Sequence, residues 1–85
     1  MNPIVAAGDV VQLRIDLAKA SSLTVSEIPK AWRFEDGLRA LKAGTNYLSV
    51  KVPRGADQQV SQIHLKDAAG TDYKFRVEVV RRVRG

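Results

Sequence analysis

Residues 11–18 have the sequence Val-Gln-Leu-Arg-Ile-Asp-Leu-Ala, in which a branched apolar side chain occupies every second position. Successive side chains of a β-strand point to opposite faces of the sheet, so this period of two is typical of a strand with one buried face. The alternation returns near the end of the chain, where the apolar positions are Tyr73, Phe75, Val77 and Val79. Both segments therefore predict half-buried strands.

Turn-forming residues separate the alternating segments at short intervals. Asp36-Gly37 predicts a two-residue hairpin loop, because both residues tolerate positive φ. Pro53-Arg54-Gly55 ends one strand, and Asp67-Ala68-Ala69-Gly70 predicts a turn with aspartate at its first position. No segment has sustained helical spacing. The chain is therefore expected to be all-β, either a sandwich or a small barrel of about seven strands.

The length of 85 residues predicts a single domain with a thin core. We divide it into an N-terminal lead over residues 1–9, a β-sandwich domain over 10–81 and a basic tail over 82–85. The face shared by the alternating segments predicts one core that contains Leu13, Ile15, Trp32, Phe34, Val50, Ile63, Tyr73 and Phe75. No run of about 18 apolar residues is present, so we expect no membrane span.

The residue types needed for catalysis or metal binding are sparse. Cysteine is absent, which excludes disulfides and thiolate ligands. His64 is the one histidine, and its position in the alternation places it on a polar strand face beside Gln62 and Lys66. An imidazole without a second strong ligand or an ordered nucleophile forms neither a metal site nor a catalytic triad. We therefore expect no enzyme activity, no metal, no cofactor and no small-molecule substrate.

The basic residues are the informative group, since the net charge is +5 and the sequence pI is about 10.0. Outward strand positions carry Arg14, Lys51, Lys66, Lys74 and Arg76, and Arg81, Arg82 and Arg84 follow at the end of the chain. Two interpretations stay open. These cations form a positive stripe that follows a polyanion backbone, or they are solvated charges that prevent strand-to-strand aggregation.

One aromatic residue, Tyr47, falls on an outward position and joins the candidates for partner binding. The full candidate set is Tyr47, Lys51, Lys74, Arg76, Arg81 and Arg82. We expect Arg81 and Arg82 to lie in an exposed strand end or a linker, because burying unpaired arginines costs several kcal/mol.

Between residues 23 and 80 the sequence resembles bacterial immunoglobulin-like or cadherin-like repeat modules. The similarity is carried by Leu23-Thr24-Val25, Pro29, Gly37, residues 41–45, residues 48–53, Gly55-Ala56, residues 67–70 and residues 73–77. The resemblance implies an immunoglobulin-like β-sandwich of about seven short antiparallel strands. It also implies a role as a spacer or adhesive unit without an active site. The basic excess departs from the acidic composition of the calcium-binding members, which argues against calcium.

These observations predict a non-catalytic module that spaces or docks within a larger bacterial surface, secreted or periplasmic assembly, with a protein partner or a neighbouring domain. The alternative is a small basic β-barrel that binds nucleic acid or another polyanion, with Lys51, Lys74, Arg76, Arg81 and Arg82 on phosphates and Tyr47 stacking on bases.

Overall fold

The computed structural model describes residues 3–56 and 58–80, and within them it contains seven β-strands and no helix. The strands are β1 (Ile4–Ala6), β2 (Val10–Leu17), β3 (Leu23–Glu27), β4 (Arg33–Phe34), β5 (Gly44–Lys51), β6 (Val60–Asp67) and β7 (Asp72–Val80). A four-stranded sheet has the order β1-β7-β6-β3, and a three-stranded sheet has the order β2-β5-β4. The all-β prediction is confirmed. The barrel alternative is wrong, because the strands form two separate sheets.

The inward side chains of both sheets form one hydrophobic core, as the alternation requires. Its completely buried members are Val50, Val52, Ile63, Leu65 and Val77. The expected core residues Leu13, Ile15, Trp32, Val50 and Ile63 are buried, whereas Phe34, Tyr73 and Phe75 are half-buried and pack against the core. Phe34 lies on the short edge strand β4, and the Tyr73 hydroxyl reaches the surface to donate to Asp67. Position in the fold thus limits the burial of these rings.

The start of the described chain corrects two predictions. Ile4–Ala6 was expected to belong to a lead over residues 1–9, but it forms β1 at the edge of the four-stranded sheet. β1 runs parallel to β7, so the strands are not all antiparallel. The Glu78 amide donates to the Pro3 carbonyl at 2.9 Å, and the Val5 side chain joins the core. Three residues are too few for a period of two to indicate a strand.

The hairpin predicted at Asp36-Gly37 is not formed. The Asp36 carboxylate accepts a hydrogen bond from the Ser49 amide at 2.7 Å, which takes the place of a strand-to-strand bond and ends β4 after two residues. The chain then crosses to the other sheet, where the Leu23 amide donates to the Leu38 carbonyl at 2.7 Å. Gly37 does not use a positive φ, so the feature on which the prediction rested is absent.

Candidate functional site

The two sheets divide the candidate binding residues between opposite outer faces. Lys74 and Arg76 lie on the outer face of the four-stranded sheet, and Tyr47 and Lys51 lie on the outer face of the three-stranded sheet. Arg81, Arg82 and the tail over 82–85 lie outside the described residues. A single positive stripe through all the strand cations is therefore not formed. The alternation shows which side chains point outward, but it does not show which strands are neighbours.

Acidic side chains interrupt the cations on the four-stranded face. Lys66 lies opposite Asp72, and its Nζ is 3.7 Å from Oδ1 of that carboxylate. Arg76 lies opposite the uncharged Gln62, and Lys74 lies opposite His64. Glu27 on β3 and Glu78 on β7 add two further exposed carboxylates to the face. Positive and negative side chains therefore alternate on this face, and its cations do not form a continuous positive surface.

His64 and Asp72 form the one close imidazole–carboxylate pair in the described part of the chain, with Nε2 2.9 Å from Oδ1. The hydrogen bond from His64, together with the nearby Lys66 and Lys74, lowers the pKa of Asp72 below its ordinary value. No described hydroxyl is hydrogen-bonded to this imidazole, and residues 3–56 and 58–80 contain no metal-binding group of three or more acidic or histidine side chains. The pair acts as a cross-strand contact that holds β6 to β7.

The three-stranded face is organised around Asp16. Its Oδ1 accepts a hydrogen bond from the Thr45 hydroxyl at 2.7 Å, and the Arg14 Nε lies 3.4 Å from the same oxygen. Arg14 lies directly opposite Tyr47, a residue that is 61% exposed. Lys51 donates from Nζ to the Gly8 carbonyl, so this cation is already engaged within the chain. Tyr47 is therefore an exposed aromatic candidate on this face.

A groove of about 430 Å³ lies at one end of the sandwich, between the segment before β4 and the segment after β5. It is lined by Pro29, Lys30, Ala31, Trp32, Pro53, Gly55, Ala56, Gln59 and Ser61. Ser61 is only 7% exposed and also lines a smaller neighbouring hollow of about 260 Å³. Ser61 was not among the candidate residues predicted from the sequence. The signal available in the sequence was its position, because the alternation of β6 puts this hydroxyl in the same inward row as Ile63 and Leu65.

The turn between β6 and β7 depends on the Asp67 carboxylate. Its Oδ1 accepts hydrogen bonds from the Ala69 and Thr71 amides, each at 2.9 Å, and its Oδ2 accepts one from the Tyr73 hydroxyl at 2.9 Å. The predicted turn over residues 67–70 is confirmed, since the Gly70 amide donates to the Asp67 carbonyl at 3.0 Å and Gly70 has a φ of +89°. These bonds, led by the one from Thr71, lower the pKa of Asp67.

We expect acid to destabilise the domain through Asp67, and the variant Asp67→Asn to lose part of this pH dependence. A carboxyl whose pKa is lowered in the folded state stabilises the fold at pH values above the unfolded pKa of about 3.9. That stabilisation disappears as the pH falls through the lower, folded-state pKa. Urea melts between pH 2 and pH 7, in both proteins, measure the effect.

Tyr73→Phe provides the comparison for that experiment, because it removes one hydroxyl donor and keeps the Asp67 carboxylate with its amide donors Ala69 and Thr71. Stability should therefore depend on pH more strongly in Tyr73→Phe than in Asp67→Asn. If the free energy of unfolding depends on pH equally in Asp67→Asn and in the unmodified chain, the Asp67 carboxylate does not stabilise the turn.

Comparison with known proteins adds no relative: no family model, no curated protein and no solved structure matches the chain. The described residues also contain no helix long and apolar enough to cross a membrane. The geometry of the two sheets, their faces and the end groove is thus the basis for any functional statement.

Proposed function

We propose that this chain is a non-catalytic immunoglobulin-like module that spaces or docks within a larger bacterial surface, secreted or periplasmic assembly. The order β2-β5-β4 corresponds to the B-E-D strands of that fold, and β7-β6-β3 corresponds to G-F-C. The first strand lies beside the last strand rather than beside the second. This strand order is the observation that supports an immunoglobulin-like module over other two-sheet arrangements.

The parallel pairing of β1 with β7 supports a spacer role. Ile4 pairs with Glu78 and Ala6 with Val80, so the chain runs in the same direction through its first strand and its last strand. The start of β1 and the end of β7 consequently lie toward opposite ends of the domain. Modules that are joined in a row need this arrangement, because each link then continues the direction of the one before.

The contacts around the polar residues support a non-catalytic role. The imidazole of His64 is hydrogen-bonded to Asp72, and the described residues place no nucleophile beside that pair. The carboxylates of Asp16 and Asp67 accept hydrogen bonds from neighbouring hydroxyl and amide groups, and these bonds stabilise strand and turn geometry. A docking role needs only an accessible surface, and exposed Tyr47 provides one on the three-stranded face.

Titration with double-stranded DNA, single-stranded oligonucleotides and heparin separates this role from polyanion binding. We expect no binding at about 150 mM salt, since the outer face that carries Lys74 and Arg76 also carries Asp72 and Glu78. Fluorescence anisotropy with labelled oligonucleotides measures the affinity and its dependence on salt.

Micromolar affinity with a steep salt dependence would contradict the proposed role and favour polyanion binding. A matched pair of variants then locates the contact. Lys74→Gln with Arg76→Gln removes two cations from the four-stranded face, and Lys19→Gln with Lys42→Gln removes two from exposed positions outside the strands. Loss of affinity in the first variant alone would assign the polyanion site to the four-stranded face.

A further inference from the structure

The four strands at the sheet edges differ in how well each one blocks pairing with another chain. β1 has three residues and β4 has two, which is too short to template a partner strand. β3 carries a register irregularity between Val25 and Glu27, which interrupts its free edge. β2 has eight residues, pairs with β5 in continuous register and contains neither proline nor glycine. β2 is the unprotected edge among the described strands.

The hydrogen bonds around β5 show which backbone groups of β2 face outward. In an antiparallel ladder, every second residue exchanges backbone hydrogen bonds with the residue opposite it, and the residues between bond to the other side. The Glu35 amide donates to the Ser49 carbonyl at 2.8 Å, so the odd-numbered residues of β5 bond toward β4 and the even-numbered residues bond toward β2. By the register, the even residues of β5 lie opposite Val11, Leu13, Ile15 and Leu17. The amides and carbonyls of Val10, Gln12, Arg14 and Asp16 therefore point to the free edge.

In the described part of the chain, no other segment bonds to this edge. The backbone hydrogen bonds outside the ladders join the turns, the loops and the ends of the strands, and none of them includes a residue of Val10–Leu17. The side chains that face inward from β2 are already buried, with Leu13 and Ile15 each 2% exposed. The edge thus offers aligned backbone donors and acceptors on a strand whose position is fixed by the core.

We propose that β2 pairs antiparallel with β2 of a second copy of this chain, in a register centred on Ile15. In this register Arg14 of each copy lies opposite Asp16 of the other copy, which gives two reciprocal pairs of opposite charge. Arg14 and Asp16 are also free-edge residues, so each pair is joined by main-chain hydrogen bonds. The two three-stranded sheets become one continuous sheet across a two-fold axis.

The charges on β2 select this register over its neighbours. In each possible register the numbers of two opposite residues add up to a constant. This sum must be even, because an odd sum would place the inward side chains of one copy opposite the outward side chains of the other. Centring the pairing on residue 14 places Arg14 opposite Arg14, and centring it on residue 16 places Asp16 opposite Asp16. Like charges directly opposite each other destabilise a strand pair. Centring it on Leu13 places Arg14 opposite Gln12 and leaves its charge without an opposite partner.

The position of Asp16 favours the proposed contact. The Thr45 hydroxyl on the neighbouring strand β5 donates to the carboxylate at 2.7 Å and holds it on the outer face of the sheet, where the Asp16 side chain is 61% exposed. Arg14 is 3.4 Å from the same carboxylate within one copy and is largely exposed, so it has the freedom to bridge to the second copy. This inference goes beyond the proposed spacer or docking role, because it depends on the β2 edge alone and holds whatever else the module binds.

Sedimentation equilibrium between about 10 μM and 1 mM tests the dimer, for which we expect a Kd on the order of 100 μM because edge pairing buries little area. Arg14→Asp leaves two acids on each edge, and Asp16→Arg leaves two basic residues. Each variant alone should raise the Kd by at least about tenfold. An equimolar mixture of the two should form a heterodimer, since every Asp then lies opposite an Arg.

Arg39→Asp is the matched control, since it makes the same charge change at an exposed position outside the strands. Its Kd should equal that of the unmodified chain, and far-UV circular dichroism should show that every variant is folded. A chain that stays monomeric at about 1 mM would overturn the proposal. The register, and with it the proposal, would be overturned if each single variant had the same Kd as the unmodified chain. A mixture of the two variants that stays monomeric would overturn it as well.

Discussion

Replacing Trp32 with alanine is expected to lower the free energy of unfolding by about 3–5 kcal/mol. Trp32 lies between β3 and β4, is 6% exposed and belongs to the shared core, so its removal leaves a large cavity at the groove end of the sandwich. A domain of this size is stable by only about 4–13 kcal/mol, and no disulfide adds to that. Urea denaturation followed by far-UV circular dichroism measures the loss.

Tyr47→Ala is the comparison for Trp32→Ala, because it also removes an aromatic ring, but from a residue that is 61% exposed on an outer face. We expect its cost to be within about 0.5 kcal/mol, as for other surface substitutions. Trp32→Phe should recover part of the lost stability, since it fills most of the cavity. A cost below about 1 kcal/mol for Trp32→Ala would contradict the placement of the ring in the core.

Replacing Leu65 with alanine should cost about 2–5 kcal/mol, the range for large-to-small changes in a close-packed interior. Leu65 lies on β6, near the middle of the four-stranded sheet, and is completely buried. The cavity would open between the two sheets, where neither sheet can collapse into it without losing its own pairing. The same urea measurement applies, and an unchanged m-value would show that only stability has changed.

Val25→Ala provides an internal comparison, because Val25 lies directly opposite Leu65 in the register but is 37% exposed on the edge strand β3. Its expected cost is about 0.5 kcal/mol. Equal losses of unfolding free energy in the two variants would contradict the placement of β3 at the sheet edge and β6 in its interior, and with it the sheet order.

Several elements were predictable because their information is local. The alternation in residues 11–17 and 73–79 predicted β2 and most of β7, since a period of two follows from strand geometry alone. The turn after Asp67 was predictable because an aspartate that accepts amide hydrogen bonds and a glycine with positive φ are requirements of the turn itself. The inward positions of Val50 and Ile63 followed from the same alternation.

Other features depend on contacts between distant segments, which no local pattern encodes. β1 is a strand because β7 offers it an edge, as the bond from the Glu78 amide to the Pro3 carbonyl shows. The hairpin at Asp36-Gly37 fails because the Asp36 carboxylate bonds to the Ser49 amide on β5. Sequence reasoning could not foresee either contact, since the partners are separated by many residues and compete with the local preference.

The candidate site divides in the same way. The sequence by itself determined that four candidate side chains point outward: Tyr47, Lys51, Lys74 and Arg76. The direction of each side chain follows from the two-residue period of its own strand. Only the tertiary structure decided that β5 and β7 belong to different sheets, which separates these residues onto opposite faces. It also decided that β2 is an edge strand whose outward backbone groups bond to no other segment among residues 3–56 and 58–80. The physical reason is that strand order is set by the long-range packing of the core and not by the sequence of any one strand.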